Sequence, residues 1–373
     1  MLKEKIIKEL NSFKNENRFR TLKAINGNSI NLSSNDYVGL GNDSNLIQDF
    51  YKTYTHLPLS SSSSRLISGT YPLIDELENK LEHIYKKPAL FFNSGFDCNC
   101  CVIETFCDNN TLVISDKLNH ASIHDGIIHS GATLLRYRHL DLEHLRKILE
   151  NNSKKYETIL VISETIYSMD GDCVDLKKLI DLKKEFNFLL MIDEAHSFAV
   201  HSFGMCYEMD CLEFVDFLTI PLGKGGGSTG SYLICEQIYK DYIINRGRKF
   251  IYTTALPPIN IAWNLFILER MESFSDKRLK LKELTNVSHE LIKKYNMETL
   301  STTHIISIII GNNSKLDLIV EYLSSKNYFI YGVKEPTVPK GTSRIRIGLS
   351  PNISVEDITA FFEELNYAIN NVF

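Results

Sequence analysis

LLMIDEAH at residues 189–196 is the strongest indication of the fold, because four apolar residues are followed at once by the sequence DEAH. LTIPLGKGGG at 218–227 repeats the pattern, with one lysine among glycines after the apolar run. Short apolar runs of this kind indicate buried parallel strands, which present functional groups at the carboxyl edge of a sheet. We therefore expect Asp193 and Lys224 to lie on neighbouring strand ends.

Around these two stretches, apolar strand-like runs alternate with helical patterns. The runs are ALFFN at 89–93, TLVIS at 111–115, ATLLRY at 132–137, TILVISE at 158–164, FLLMIDE at 188–194, DFLTIP at 216–221 and SYLIC at 231–235. This alternation predicts an α/β fold with a mostly parallel seven-stranded sheet covered by helices on both faces. A helix is predicted over 73–85, with Leu73, Leu77, Leu81 and Ile84 on a core-facing stripe.

The chain of 373 residues is long enough for a large domain and a smaller one. We predict an N-terminal arm over 1–45 that begins with an amphipathic helix, and a large domain over 46–275. A small C-terminal α+β domain is predicted over 276–373, from the strands HIISIIIG and SRIRIGL and their neighbouring helical patterns. A cleft between the two domains is the expected functional site.

Composition and charge exclude several classes of function. The net charge is −5 and lysines and arginines are scattered, so nucleic acid is an unexpected partner. Since the chain has no apolar run long enough to span a bilayer and begins with a charged helix, we expect no membrane partner and a cytoplasmic location. The cysteine cluster CNCC at 98–101 lacks paired CxxC spacing and a nearby histidine, so we predict reduced thiols and no metal.

The pairing of Asp193 with Lys224 predicts a site for pyridoxal 5'-phosphate. This cofactor needs a lysine amine for its covalent link and an acidic partner that keeps its ring nitrogen protonated. Taken singly, Asp193 could cap a helix and Lys224 could be a solvated loop residue, because such short patterns recur by chance. Their joint occurrence, with His196 three residues after Asp193, favours the cofactor site.

Eight motifs along the chain resemble those of the α-oxoamine synthase family of fold-type-I pyridoxal-phosphate-dependent transferases. They are SSNDYVGLG at 33–41, SSSRLISGT at 62–70, NSGFDCN at 93–99, DKLNHASIHDG at 116–126, SETIYSMDGD at 163–172, DEAHS at 193–197, GKGGGSTG at 223–230 and PTVPKGTSRIRI at 336–347. The resemblance implies a homodimeric acyltransferase that condenses an amino acid with an acyl thioester. The last motif and the compact length are most similar to the member that uses L-alanine with pimeloyl-CoA or pimeloyl-carrier protein. A sibling that uses glycine or serine, and a catalytically silent protein of this fold, are the alternatives.

The resemblance also implies the residues that hold the cofactor. Lys224 would bind it covalently and take the Cα proton of the amino acid, while Asp193 would hold the proton on the ring nitrogen. His196 and Ser168 would contact the side of the ring that bears the hydroxyl, and His196 could alternatively be a core histidine. His120 would stack on the ring and meet the substrate. Weaker candidates for that role are His124 and His129.

The phosphate contacts include one departure from the family. Gly95 and Phe96 are expected to present backbone amides to the phosphate at a helix start. The family usually carries Ser or Thr three residues before the lysine, but this chain has Pro221. We expect weaker cofactor retention. The candidates for a replacing contact are Ser228 or Thr229 of the loop, and Thr253 or Thr254 of a neighbouring subunit.

On the substrate side, the resemblance implies roles for Arg18, Asn35, His120, Thr337 and Arg346. Arg346 would bind the carboxylate of the amino acid, because the planar guanidinium fork suits that group. Arg344 is the alternative, since alternate residues of a strand share a face, and Arg20 is the alternative to Arg18. Glycines that often follow DEAHS in the family are replaced here by Ala199, Ser202 and Met205.

Overall fold

The computed structural model describes residues 1–25 and 27–372. The chain forms two compact units. The sheet unit comprises Val38–Tyr167 and Cys173–Arg278, and the terminal unit comprises Met1–Tyr37, Ser168–Asp172 and Leu279–Phe373. The division into an arm, a large domain and a small domain stays a prediction.

The regular elements are numbered in chain order. The helices are α1 Leu2–Asn15, α2 Ser44–Thr53, α3 Pro72–Tyr85, α4 Gly95–Phe106, α5 Ala121–Ser130, α6 Leu142–Asn152, α7 Leu176–Glu185, α8 Met205–Glu208, α9 Gln237–Arg246, α10 Arg248–Ile251, α11 Pro258–Glu269, α12 Ser275–Lys294, α13 Asn313–Ser325 and α14 Val355–Asn371. The strands are β1 Ile30–Asn31, β2 Ala89–Phe92, β3 Thr111–Asp116, β4 Thr133–Tyr137, β5 Thr158–Glu164, β6 Leu189–Asp193, β7 Phe217–Pro221, β8 Ser231–Cys235, β9 Ile305–Gly311, β10 Tyr328–Phe329, β11 Tyr331–Val333 and β12 Ser343–Gly348.

The sheet unit contains a seven-stranded sheet in the order β2-β8-β7-β6-β5-β3-β4. All neighbours pair in parallel except β8, which runs antiparallel to both β2 and β7. The predicted mostly parallel sheet is therefore confirmed, and each of the seven apolar runs forms one strand. Register pairs Asp193 with Glu164 of β5 and with Thr219 of β7, so polar groups from three strands meet at the carboxyl edge.

Helix α3 illustrates how the helices cover this sheet. Pro72 occupies its first turn, where a missing backbone N–H costs nothing. Leu77 and Leu81 are fully buried, and Leu73 and Ile84 are partly buried against the same core, which confirms the predicted stripe. Ile74 is a further fully buried residue of this helix.

The terminal unit contains a three-stranded antiparallel sheet in the order β11-β12-β9. A short parallel pair joins β1 to β10, which ties the segment after α1 to the C-terminal part of the chain. The predicted strands HIISIIIG and SRIRIGL correspond to β9 and β12. Among the helices of the described residues, none combines the length and apolar character needed to cross a membrane.

The turn that follows β6 has an unusual backbone. Ala199 and Ser202 have φ angles of 66° and 51°, in the left-handed region that favours glycine, and they face each other as an isolated β-bridge. Two of the three positions where the chain departs from the glycines of the family thus adopt a glycine-type conformation.

Candidate active site

Asp193 ends β6 with its side chain buried, the residue being 3% exposed. Its Oδ2 accepts a hydrogen bond from the Asn99 amide at 2.7 Å, and its Oδ1 accepts one from the Ala195 backbone N–H at 2.8 Å. A carboxylate oxygen offers two lone pairs, so each oxygen can accept a further donor. Asp193 is therefore suited to hold a protonated ring nitrogen.

Glu164 ends the neighbouring strand β5 and is 2% exposed. Its Oε1 accepts a hydrogen bond from the His120 backbone N–H at 2.5 Å. Burial raises the pKa of Glu164 well above its ordinary value, the Asp193 charge adds to this shift, and the Lys224 charge opposes it. Glu164 thus retains its proton well above the pH at which an exposed glutamate loses it.

His120 occupies the position just before α5. Its Nδ1 accepts a hydrogen bond from the Ser122 backbone N–H at 3.2 Å and lies 2.8 Å from the Ser122 hydroxyl. His120 is an exposed residue, but desolvation of its ring lowers its pKa; the Asp193 charge opposes this shift and the Lys224 charge adds to it. His120 is therefore a neutral ring with its proton on Nε2, which gives the site a flat aromatic surface.

Lys224 lies in the loop after β7 and is partly buried. Its charge acts on the pKa of both His120 and Glu164, so the amine belongs to this cluster. Gly225 next to it is packed closely, since a Cβ there would lie 2.4 Å from the Phe198 carbonyl oxygen. His196 is buried three residues after Asp193.

Helix α4 begins at Gly95, and Ser94 caps it by accepting a hydrogen bond from the Asp97 N–H at 3.0 Å. A Cβ on Gly95 would lie 2.5 Å from Cγ of Pro221, so only glycine fits against this proline. Phe96 is partly exposed and contacts the His120 ring edge to face, with centroids 6.5 Å apart. The first-turn N–H groups of a helix suit an anion such as a phosphate.

Thr254, which is predicted to contact the phosphate, is exposed. Within its own chain, the Thr254 carbonyl accepts a hydrogen bond from the Asn93 amide at 2.6 Å, and the Thr253 hydroxyl accepts one at 3.0 Å. Ser228 has a buried hydroxyl with no hydrogen-bond partner among the described residues. The contact that replaces the hydroxyl missing at Pro221 stays a prediction.

The sheet unit therefore presents groups that fit pyridoxal phosphate. The site has a hydrogen-bond acceptor for the ring nitrogen and an amine for the covalent link. It also has an aromatic face for the ring and a helix start for the phosphate. The residues that supply them are Asp193, Lys224, His120, Gly95 and Phe96. Pro221 is the one position where the expected hydroxyl is missing.

The terminal unit contains a second polar cluster, centred on Arg346 of β12. Arg346 is buried, and it donates to the Ser168 carbonyl through Nε at 2.5 Å and to the Tyr37 hydroxyl through Nη2 at 3.0 Å. Tyr37 in turn donates to Oδ1 of Asn35 at 2.9 Å. No carboxylate of the described residues forms an ion pair with Arg346, so its guanidinium is suited to bind a carboxylate from outside the chain.

Arg344, the alternative on the same strand, forms a buried ion pair with Asp170. It also donates to the Thr342 carbonyl at 3.0 Å and to the Thr342 hydroxyl at 3.1 Å. Because groups of the chain itself already bind the Arg344 guanidinium, Arg346 is favoured as the carboxylate-binding residue.

The remaining predicted substrate residues are Arg18, which is partly buried, and Thr337, which is exposed. Arg18 forms an ion pair with Glu16, whereas Arg20 donates to the hydroxyl of Thr337 at 2.9 Å. The structure thus brings Thr337 together with Arg20, the alternative to Arg18. The substrate contacts of these residues stay predictions.

Comparison with known proteins agrees with this arrangement. The sequence profile of the aminotransferase class I and II family matches residues 27–365. A Glaesserella parasuis protein, provisionally named 8-amino-7-oxononanoate synthase, is 40% identical over 336 residues, which are 88% of each chain. The 8-amino-7-oxononanoate synthase of Haemophilus ducreyi is 36% identical over 357 residues, which are 92% of each chain.

The chain belongs to the aminotransferase class I and II family, as an α-oxoamine synthase. A solved serine palmitoyltransferase from S. paucimobilis, with pyridoxal phosphate and myriocin bound, superposes with a TM-score of 0.88 at 22% identity, covering 99% of this chain and 97% of that one. At this identity, the likeness supports the fold only. The predicted fold-type-I architecture is thereby confirmed.

Three buried polar residues at the site of this α-oxoamine synthase were not predicted from the sequence. Glu164 ends a predicted strand beside DEAH, so its position alone was a signal. Asn99 and Ser122 lie inside quoted motifs, yet their contacts arise only when α4 and α5 pack beside β6 and β7. A buried asparagine on an otherwise apolar helix face was the available signal for Asn99.

Proposed function

We propose that this enzyme condenses L-alanine with a pimeloyl thioester, pimeloyl-CoA or pimeloyl-carrier protein, to form 8-amino-7-oxononanoate for biotin biosynthesis in the cytoplasm. The thiol carrier and carbon dioxide are the other products. The class of reaction, which uses pyridoxal 5'-phosphate to join an amino acid to an acyl thioester, follows from the family. The choice of alanine and pimeloyl thioester is supported by the names of relatives that match about nine-tenths of the chain.

The observation that carries the proposal is the cluster of Asp193, Lys224 and His120 at the carboxyl edge of the sheet, in which Asp193 is buried, Lys224 is partly buried and His120 is exposed. When bound, pyridoxal phosphate supplies an electron sink that stabilises negative charge at the Cα atom of the amino acid. Asp193 would hold the proton of the ring nitrogen, and His120 would offer its flat aromatic face to the ring. Lys224 would bind the cofactor through its Nζ atom and would move the Cα proton at that atom.

Arg346 has the role of orienting the amino acid. Its guanidinium binds the carboxylate, while Tyr37 and the Ser168 carbonyl hold the side chain in place. A carboxylate held in this way would fix the orientation of the amino acid and so determine which bond at its Cα atom is presented for cleavage. Asn35 supports this arrangement through its hydrogen bond with Tyr37.

We also propose that the enzyme is a homodimer. In the sheet unit, Leu59, Leu66, Ile67 and Tyr252 are large apolar residues that are exposed. The segments that carry them run side by side, since Ser64 and Thr254 form a β-bridge. Clustered exposed apolar residues mark interaction surfaces. A second copy of the chain would cover this surface. Thr254 of each subunit would then contact the phosphate in the site of the other subunit.

The test is release of carbon dioxide from L-alanine in the presence of pimeloyl-CoA. We expect turnover with alanine, much slower turnover with glycine or serine, and none in Lys224→Ala. Faster turnover with glycine or serine would assign the chain to a sibling activity. A protein that acquires the visible absorbance of lysine-bound pyridoxal phosphate but turns over none of the three amino acids would be catalytically silent.

A further inference from the structure

We propose that Asn99 is a positioning residue that orients the Asp193 carboxylate and the His120 ring relative to each other. This inference rests on the proposed use of pyridoxal phosphate and adds to it a residue in the middle of α4. Asn99 touches neither the substrate nor the cofactor in this assignment. It acts through the two side chains that do.

The contacts of Asn99 connect three elements of the sheet unit. Asn99 is 1% exposed, and its Nδ2 donates to Asp193 Oδ2 at 2.7 Å and to the Ser122 hydroxyl at 3.0 Å. Its Oδ1 accepts a hydrogen bond from the Thr219 hydroxyl at 2.9 Å. Both protons of the amide and its oxygen are therefore used, which is the condition for a buried polar network that specifies one geometry.

Asp193 and Thr219 together hold the Asn99 amide in one orientation. Thr219 lies opposite Asp193 in the register of β6 and β7, and its hydroxyl donates to the oxygen of Asn99. An ionised carboxylate only accepts hydrogen bonds, and a flipped amide would place two oxygens against each other. The carboxylate thus selects the orientation of Asn99, and the Thr219 hydroxyl stabilises that orientation by donating to the amide oxygen.

A second branch runs from Asn99 to His120 through Ser122. The Ser122 hydroxyl accepts from Asn99, which leaves its proton to be donated to His120 Nδ1 at 2.8 Å. The Ser122 backbone N–H also donates to Nδ1. Each group therefore donates a hydrogen bond to the next, from Thr219 through Asn99 and Ser122 to His120. Because Nδ1 of His120 is the final acceptor, the ring proton lies on Nε2.

The chemistry at position 99 excludes the close alternatives. Aspartate would put a second carboxylate against Asp193, and two buried carboxylates this close cannot both ionise. Leucine would leave the buried polar groups of Asp193, Ser122 and Thr219 without their partner. Only an amide satisfies two acceptors and one donor at once from this point of the helix.

The experiment compares Thr219→Val with Thr219→Ser in the full-length protein loaded with pyridoxal phosphate. Valine has the shape of threonine but no hydroxyl, so the orientation of Asn99 loses its support while Asn99 itself stays in place. The two readouts are the dissociation constant of pyridoxal phosphate and the pH midpoint of the visible absorbance of the lysine-bound cofactor. A purely structural role of Thr219 would leave that midpoint unmoved.

We expect Thr219→Val to weaken pyridoxal phosphate binding about threefold or more and to displace the pH midpoint, with Thr219→Ser close to wild type. Asn99→Ala should weaken binding about tenfold or more, because a hydrogen bond to a charged group is lost. Thr111→Val is the matched control, since Thr111 is a buried threonine at the amino end of β3 and hydrogen-bonds Asp108 instead. It should change neither readout.

Two outcomes separate this inference from the proposed function. If the wild-type absorbance is normal and Thr219→Val matches Thr111→Val in both readouts, the assignment of Asn99 is overturned while the proposed function stands. If the wild-type protein gains no such absorbance, or if Lys224→Ala gains it equally, the proposed function fails and the inference fails with it. Should Asn99→Ala not fold, the threonine variants still decide the question.

Discussion

At the level of single residues, the carboxyl groups of Asp193 and Glu164 lie at neighbouring strand ends but have different surroundings. Asp193 accepts hydrogen bonds from an amide and from a backbone N–H, and the Asn99 amide is held in place for that contact. A second buried charge beside it would be costly, and burial raises the pKa of Glu164 well above its ordinary value. Glu164 therefore keeps its proton to a higher pH than an exposed glutamate does.

Replacing Glu164 with glutamine is expected to stabilise the protein at high pH and to change little at low pH. In the folded protein Glu164 keeps its proton, whereas the unfolded chain releases it above the ordinary pKa of 4.5. The unfolded state then binds fewer protons, so stability falls as pH rises, by up to about 1.4 kcal/mol per pH unit. Because glutamine has no carboxyl proton to release, the Glu164→Gln variant does not lose stability in this way as the pH rises.

The free energy of unfolding, measured in urea at about pH 5 and about pH 8, checks this expectation. The exposed Glu150→Gln variant serves as the control, because glutamine there replaces a group in contact with water. An equal gain for Glu164→Gln at both pH values would contradict the protonated state of Glu164.

At the scale of elements, the turn after β6 stores strain in its backbone. Ala199 and Ser202 hold left-handed φ angles without the freedom of glycine, which costs about 1 to 2 kcal/mol per residue. We expect Ala199→Gly and Ser202→Gly each to raise the free energy of unfolding by about 1 kcal/mol.

Thermal unfolding of the single variants checks this expectation against Ala262→Gly. Ala262 is a buried residue inside α11, where glycine should instead destabilise by about 1 kcal/mol or more. Opposite signs at the two places would establish the strain. Destabilisation by glycine at 199 and 202 would argue against it.

The contact between the start of α4 and the end of β7 yields a second expectation at this scale. Pro221 packs against Gly95 and offers no hydroxyl near the helix start that we propose binds the phosphate. Pro221→Thr should therefore tighten pyridoxal phosphate binding, by about threefold to tenfold for one added hydrogen bond.

Equilibrium titration with pyridoxal phosphate measures this effect, and Pro221→Val is the matched control. Valine has the branched shape of threonine and removes the same proline ring, but it lacks the hydroxyl. If both variants bind equally tightly, relief of the contact with Gly95 is the cause and the hydroxyl is not. If neither binds more tightly than wild type, Pro221 does not weaken the site.

For the molecule as a whole, the sequence predicts those features that depend on residues close to one another in the chain. All seven strands of the large sheet were predictable, because each is a continuous apolar run bounded by polar residues. Contacts across long sequence separations were not predictable in this way: Asn99 meets Asp193 from 94 positions away. The choice between Arg344 and Arg346 likewise depends on Asp170, which lies 174 positions from Arg344.

The proposed dimer interface can be tested by a substitution within it. Ile67 is 82% exposed within the apolar surface that we propose a second copy covers. Ile67→Asp should shift the protein from dimer to monomer at micromolar concentration, because a buried charge without a partner opposes association by several kcal/mol. Activity should fall in parallel, since each site would lose Thr254 of the partner subunit.

Mass measured by sedimentation, alongside the rate of carbon dioxide release, distinguishes the possible outcomes. Ile128→Asp is the control, because Ile128 on α5 is 68% exposed in the same unit and outside the segments that carry the proposed surface. A monomeric Ile67→Asp that retains full activity would mean that each subunit completes its own phosphate site. A dimeric and active Ile67→Asp would place the interface elsewhere, and only a joint loss of mass and activity supports a site shared between subunits.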